Sequence, residues 1–255
     1  MKNILSQKWA IAMKILPIII GIILTKLVMH QMGWEIISLN PLFNSIISAN
    51  VFLLGFLLAG TLSDYKESER LPGELAASLE TISDEGTILY KSKKTKEAKA
   101  YLKYVHELSV MINKWFYKEE ASEAIRKKIS GLNDFFLAFE TQTQPNFIVR
   151  LKQEQNTIRR ICIRMDTIRE TSFVSVGYAI AEITTTLLVI GFIASKISPF
   201  YESLFFVGIS TFLMIYMIAL IKDLDNPFDH YENGKASAMV SLQPLKEIEE
   251  KLRNH

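Results

Sequence analysis

The chain has 255 residues, with 29 lysines and arginines against 27 aspartates and glutamates and a formal net charge of +2. So balanced a charge excludes a dedicated nucleic-acid binder, and the single cysteine, Cys162, excludes an intrachain disulfide. The composition, 49% hydrophobic and 22% charged, would suit a soluble protein on average, so the information lies in where the charges fall.

They are segregated. Residues 10–29 are apolar except for Lys14, Thr25 and Lys26, and both lysines lie near an end where their stems are expected to snorkel to water. The run is long and lacks a small-x-small cleavage site before His30, so it is expected to be an uncleaved span rather than a signal peptide. Residues 42–62 contain no charge. Residues 173–197 enclose Glu182 and end near Lys196, and residues 204–221 are again charge-free. Each run approaches the roughly 20 residues that a helix needs to cross ~30 Å of hydrocarbon. The expected architecture is an all-α membrane protein with four transmembrane helices. Residues 1–62 would hold the first two spans, 63–172 a helical cytoplasmic region, 173–222 the last two spans and 223–255 a cytoplasmic tail. The loop over residues 30–41 has no lysine or arginine, whereas Lys2, Lys8, Lys222, Lys235, Lys246, Lys251 and Arg253 flank the termini. Both termini are therefore expected in the cytoplasm.

In the middle region helix formers dominate and glycine and proline are scarce. A break at Pro72 is expected, followed by helix to residue 90. Residues 95–118 form the clearest helix, with Ala98, Leu102, Val105, Leu108 and Ile112 on one stripe and lysines opposite. Helices over 122–140 and 146–170 follow, separated near Gln144 and Pro145. Arg150, Lys152, Arg159, Arg160, Arg164 and Arg169 make a basic run, interleaved with Glu154, Asp166 and Glu170, that is expected to be a solvated face flanking the membrane, the alternative being an anion-attracting wall or a lipid headgroup contact.

Catalytic signatures are missing. There is no G-x-x-x-x-G-K, no G-x-G-x-x-G and no H-E-x-x-H, and the four histidines are far apart, so no enzyme is expected. Glu182 is the exception inside a span. Leaving an acid charged at the bilayer centre costs roughly 2.5 kcal/mol or more. It is expected to be a hydrogen-bond anchor or a pore-adjacent ion site, reaching Arg169 or cytoplasmic water.

Ser48, Phe52 and Phe56 are spaced i, i+4 and i+8 and share one face of the second span, beside a small face of Gly55 and Ala59. Two aromatics on a face are usually packing; repeated around a symmetry axis they make an apolar neck that gates by dewetting. The stretch FLLGFLLAGTLSDYKESERLP, residues 52–72, resembles the pore-lining second helix of bestrophins, and DLDNPFDHYE, residues 223–232, resembles their acidic-N-P-F motif. The likeness is greatest to bacterial bestrophin-like membrane proteins. It implies a homo-oligomer, a pentamer in that family, set in the bacterial inner membrane and conducting ions passively past Phe52 and Phe56, with membrane lipid and permeant ions as its partners and no nucleic acid. The family the chain resembles includes chloride channels and a cation-selective branch, so the resemblance leaves the ion open between them, with a slight tilt toward anions from the weakly positive edges of aromatic rings.

Two departures matter. Ser48 stands where bestrophins usually carry a bulky aliphatic residue, which implies a shorter or wetter neck. After the N-P-F, Asp225, Asp229 and Glu232 supply only part of the six to eight oxygens that calcium takes, so neither calcium nor another cofactor is expected. The alternative is a non-conducting membrane scaffold or sensor whose cytoplasmic helices bind a partner. A secondary transporter is disfavoured, since no internal repeat or broken pair of spans is seen.

Overall fold

A computed structural model describes residues 9–170, 175–225, 227–228 and 239–253. Among them are eight helices and two short strands. These are α1 (Ala10–Gln31), β1 (Ile37–Ser38), α2 (Pro41–Lys93), α3 (Lys96–Phe116), α4 (Ser122–Phe139), α5 (Pro145–Glu170), α6 (Ser175–Ala194), β2 (Ser195–Lys196), α7 (Phe200–Leu224) and α8 (Gln243–Arg253). Four of them, α1, α2, α6 and α7, are long and apolar enough to cross a membrane, as the hydropathy pattern requires. Contacts divide the chain into two compact units, one reaching Asp64 and including α6 and α7, the other running from Tyr65 through α5 and including α8.

In the first unit, Leu54 and Leu57 of α2 meet Ala181, Leu188 and Phe192 of α6 and Val207, Met214 and Ile221 of α7. On α1, Ile11, Ile15 and Ile19 repeat every four residues and pack on Phe212, Ile215 and Ala219. Lipid is as apolar as these side chains, so close fit and polar links must hold the helices together. Both are present. The Phe43 ring lies where a side chain at Gly191 would stand, 2.7 Å from an ideal Cβ, and meets the Phe192 ring edge-on. Asn50 is buried and donates to Thr185 Oγ1 at 3.0 Å while accepting from Thr184 at 2.6 Å.

Lys26 does not snorkel. Its side chain is fully buried, ion-paired with Glu35 at 2.6 Å, and donates to the carbonyls of Ile193, at 3.2 Å, and Ser195. A carboxylate and two carbonyls replace the water that an ammonium otherwise seeks. Those carbonyls lie at the C-terminal end of α6, where the last C=O groups have no partner within the helix. Just beyond, β1 and β2 pair in parallel, Ile37 with Ser195 and Ser38 with Lys196, a sheet that two residues per strand do not announce in sequence. Burial pushes the Glu35 carboxyl upward, but its hydrogen bonds from Lys26 and His30 outweigh this and hold it below its ordinary value. The His30 ring also stacks on Phe200 at 3.6 Å.

The second unit is built on amphipathic stripes. Thr95 caps α3 by accepting from the Ala98 amide at 3.3 Å, and the expected stripe, Ala98, Leu102, Val105, Leu108 and Ile112, is buried throughout. Ile125, Ile129, Leu132 and Phe136 of α4 and Leu151, Ile158 and Met165 of α5 complete the same core. The expected break at Pro72 is absent: α2 is helical across it. Proline in a helix interior costs about 3 kcal/mol, and here Leu71, Leu75, Leu79 and Ile82, buried on both sides of it, offset that loss. At the start of α5 the proline sits in the first turn, where its missing N–H is no loss.

The basic run is engaged rather than simply solvated. Arg164 grips Glu67 with two bonds, at 2.8 and 2.5 Å, and holds its carboxyl low; Arg150 pairs with Glu85 and Lys152 donates to Asn133 at 2.6 Å. The last helix, α8, buries Leu245, Ile248 and Leu252, donates no apolar face to solvent, and is tied to Asn113 of α3, which donates to the Leu245 carbonyl at 3.2 Å.

Candidate pore-lining face

Helix α2 begins with Asn40 as its cap, its side-chain oxygen accepting from the Phe43 amide at 2.9 Å, and with Pro41 in the first turn. Successive residues turn by about 100° around a helix, so the buried positions Asn50, Leu54, Leu57 and Thr61 form one side. Phe52 and Phe56 project from the opposite side and are 77% and 63% exposed. Packing inside the protomer does not account for them.

The same outward strip carries polar groups at its beginning. Ser45 and Ser48 are exposed, and their hydroxyls donate back to the carbonyls of Pro41, at 2.8 Å, and Asn44, at 3.0 Å. Each hydroxyl thereby satisfies its proton within the helix and keeps oxygen lone pairs outward. Gly55 has nothing within 4 Å of where a Cβ would stand, and Ala59 is exposed, so another helix has room to approach closely here. Along one face the helix thus presents hydroxyls, two phenyl rings and then small residues.

The other candidates are placed as follows. Glu182 pairs with Lys222 of α7, and both side chains are about half exposed. The expected partner Arg169 instead lies with its guanidinium 4.9 Å above the Trp115 ring. Asp225 ends α7, its amide donating to the Ile221 carbonyl at 3.1 Å. Asp229 and Glu232 lie outside the described residues, and among the described residues no three metal-ligating side chains converge. Phe228 of the N-P-F motif is fully buried in the second unit's core, 5.6 Å from the Phe116 ring, so its aromatic serves packing. Sequence reasoning missed the Asn50–Thr184–Thr185 link and the Lys26–Glu35 pair. The only signal for either was a polar residue inside an apolar run.

No protein-family model matches the chain, and no curated protein matches it. Solved structures do. The crystal structure of a membrane protein carrying one substitution superposes with a TM-score of 0.76 at 13% identity, over 94% of this chain and 97% of that one. Two single-substitution variants of a bacterial bestrophin homologue from Klebsiella pneumoniae give TM-scores of 0.75 and 0.76 at 14% and 13% identity, each over 94% of this chain. Coverage of those two chains is 97% and 98%, so the likeness extends over the whole architecture rather than a shared helical hairpin. The chain has the bestrophin-like, all-α membrane fold.

Proposed function

We propose that this protein is a passive ion channel: copies of the chain, five by resemblance, surround an axis lined by α2, with Phe52 and Phe56 as an apolar neck and Ser48 on its extracytoplasmic side. The observation that carries this reading is the exposure of both rings on the face of α2 that the protomer leaves uncovered. Lipid alone would cover such a face as well. The hydroxyls of Ser45 and Ser48 and the open backbone at Gly55 favour a face meeting water and other copies over one meeting only acyl chains. The protein resides in a bacterial inner membrane with both termini in the cytoplasm, permeant ions, chloride among the candidates, pass the neck, and conduction needs neither calcium nor another cofactor. Recording from purified oligomers in planar bilayers tests this directly. A silent, correctly assembled oligomer refutes it.

The competing function is a non-conducting scaffold or sensor. Its support is a groove of about 700 Å³ on the second unit, lined by Pro145, Ile148, Val149 and Lys152, where a partner segment would find apolar surface. Conductance without any added protein decides against it.

A further inference from the structure

The end of α2, the first half of α3 and the end of α8 enclose a second hollow of about 610 Å³, all within the second unit. Its floor is apolar, with Tyr90, Leu102 and Leu252. Its rim is cationic, with Lys96, Lys99, Lys103 and Arg253, and among the described residues no acidic side chain lines it. In a chain carrying 29 basic against 27 acidic residues, four cations around one hollow without an acid is a local separation of charge. Lys96, Lys99 and Arg253 make no ion pair among the described residues. Lys103 has only a distant one, 4.0 Å from Glu107, a carboxylate that Lys128 holds closer, at 2.6 Å.

The cations stay together because the fold spaces them. Lys96, Lys99 and Lys103 recur at helical steps of three and four on the side of α3 opposite its buried stripe. The turn before them is set by Lys94, whose backbone adopts φ 52° and whose amide donates to the Tyr90 carbonyl at 2.8 Å. That turn brings Tyr90 beside the start of α3, and the docking of α8 delivers Arg253 from the far end of the sequence. Like charges held near one another in a concave site raise the local potential and attract anions. An arginine with lysines beside it suits phosphate oxygens, the arginine by paired donors and the lysines as point charges. The volume lies within the usual range for small-ligand sites, and an apolar floor beneath a basic rim fits a ligand with a flat organic part and a phosphate chain.

We infer that this hollow binds a small organic polyphosphate of the nucleoside di- or triphosphate class, through phosphate contacts to Lys96, Lys99, Lys103 and Arg253 and ring contact with Tyr90. Because it joins α8 to α2 and α3, a bound ligand stabilises that junction and raises the melting temperature by mass action. The inference does not depend on whether the protein conducts.

The test is calorimetric titration of the full chain in detergent at low salt, with guanosine triphosphate and inorganic pyrophosphate as separate probes. Saturable binding of both is expected, tighter for the nucleotide, weakening as salt rises. The double variant Lys99→Gln/Arg253→Gln should weaken both at least tenfold, while Lys152→Gln, on the other groove, leaves them unchanged. Tyr90→Leu should weaken the nucleotide and spare pyrophosphate. Unchanged thermal melting of the ligand-free variants separates lost binding from lost fold. No saturable binding overturns the inference, and so does equal binding by the Lys99/Arg253 variant. Binding confined to phosphatidylglycerol vesicles and not displaced by pyrophosphate overturns it too, marking the basic rim as a lipid contact.

Discussion

Replacing Phe52 and Phe56 together by alanine separates a pore neck from a packing contact, and the structure fixes what the packing contribution can be. A fully buried phenylalanine cut to alanine costs about 3–5 kcal/mol. With 77% and 63% of their surface exposed, these two rings should lose only the matching buried part, roughly 1 and 1.5 kcal/mol. Leu57, 2% exposed on the opposite side, should lose about 2–5 kcal/mol on the same change, because its removal leaves an internal cavity. Each single phenylalanine variant should therefore melt close to the parent, and the double variant, about 2.5 kcal/mol down in sum, should still assemble, while Leu57→Ala alone loses as much or more and passes no extra current. If the rings form the proposed neck, removing them also removes the surface that excludes water at the axis. Since a barrier lowered by ~1.4 kcal/mol raises a rate tenfold, the resting conductance should rise several-fold or more. The assay pairs bilayer recording of purified oligomers with their thermal melting. A double variant that assembles normally and carries no more current than the parent refutes the neck. One that falls apart as Leu57→Ala does refutes the assignment of these rings to an uncovered face.

Further outcomes are expected. In a Cys162→Ala background, cysteines at Gln31 and Ser198 should label with an impermeant thiol reagent from outside intact cells and one at Lys94 should not; labelling at Lys94 overturns the orientation. Cys162 itself, buried and with burial pushing its thiol up to about 12, should stay unmodified near pH 7 in detergent, because only the thiolate reacts readily. Glu35→Gln should destabilise by about 3–5 kcal/mol by leaving the buried Lys26 ammonium uncompensated, and adding Lys26→Met should recover part of that, read by thermal melting. Because the Glu35 carboxyl is held below its ordinary 4.5, its contribution is full above that value and is lost as pH falls through the lowered one; melting of the parent should drop there more than that of the double variant. Asp225→Asn with Asp229→Asn should leave conductance and its response to calcium unchanged, and a micromolar calcium response abolished by this pair refutes the calcium-free reading.

What the sequence determined by itself is whatever rests on local composition and period. Four apolar runs of near-membrane length specify four spans, because hydrocarbon thickness sets the length and backbone hydrogen bonding requires helix. The stripe from Ala98 to Ile112 specifies which side of α3 is buried, because side chains three and four residues apart share a face. The spacing of Phe52 and Phe56 placed them together for the same reason. Tertiary structure decided the matters that depend on partners distant in sequence. Lys26 reads as a snorkelling lysine until a loop residue, Glu35, and the carbonyls beside β2 come within reach. Pro72 reads as a break until leucines on both sides of it find a core that outweighs the lost hydrogen bond. Glu182 reads as reaching Arg169 or cytoplasmic water, and only α7 shows that Lys222 stands beside it. Whether two phenylalanines are core or surface is of the same kind. One helix defines its faces, but only the helices packed on Leu54 and Leu57 decide which face stays open.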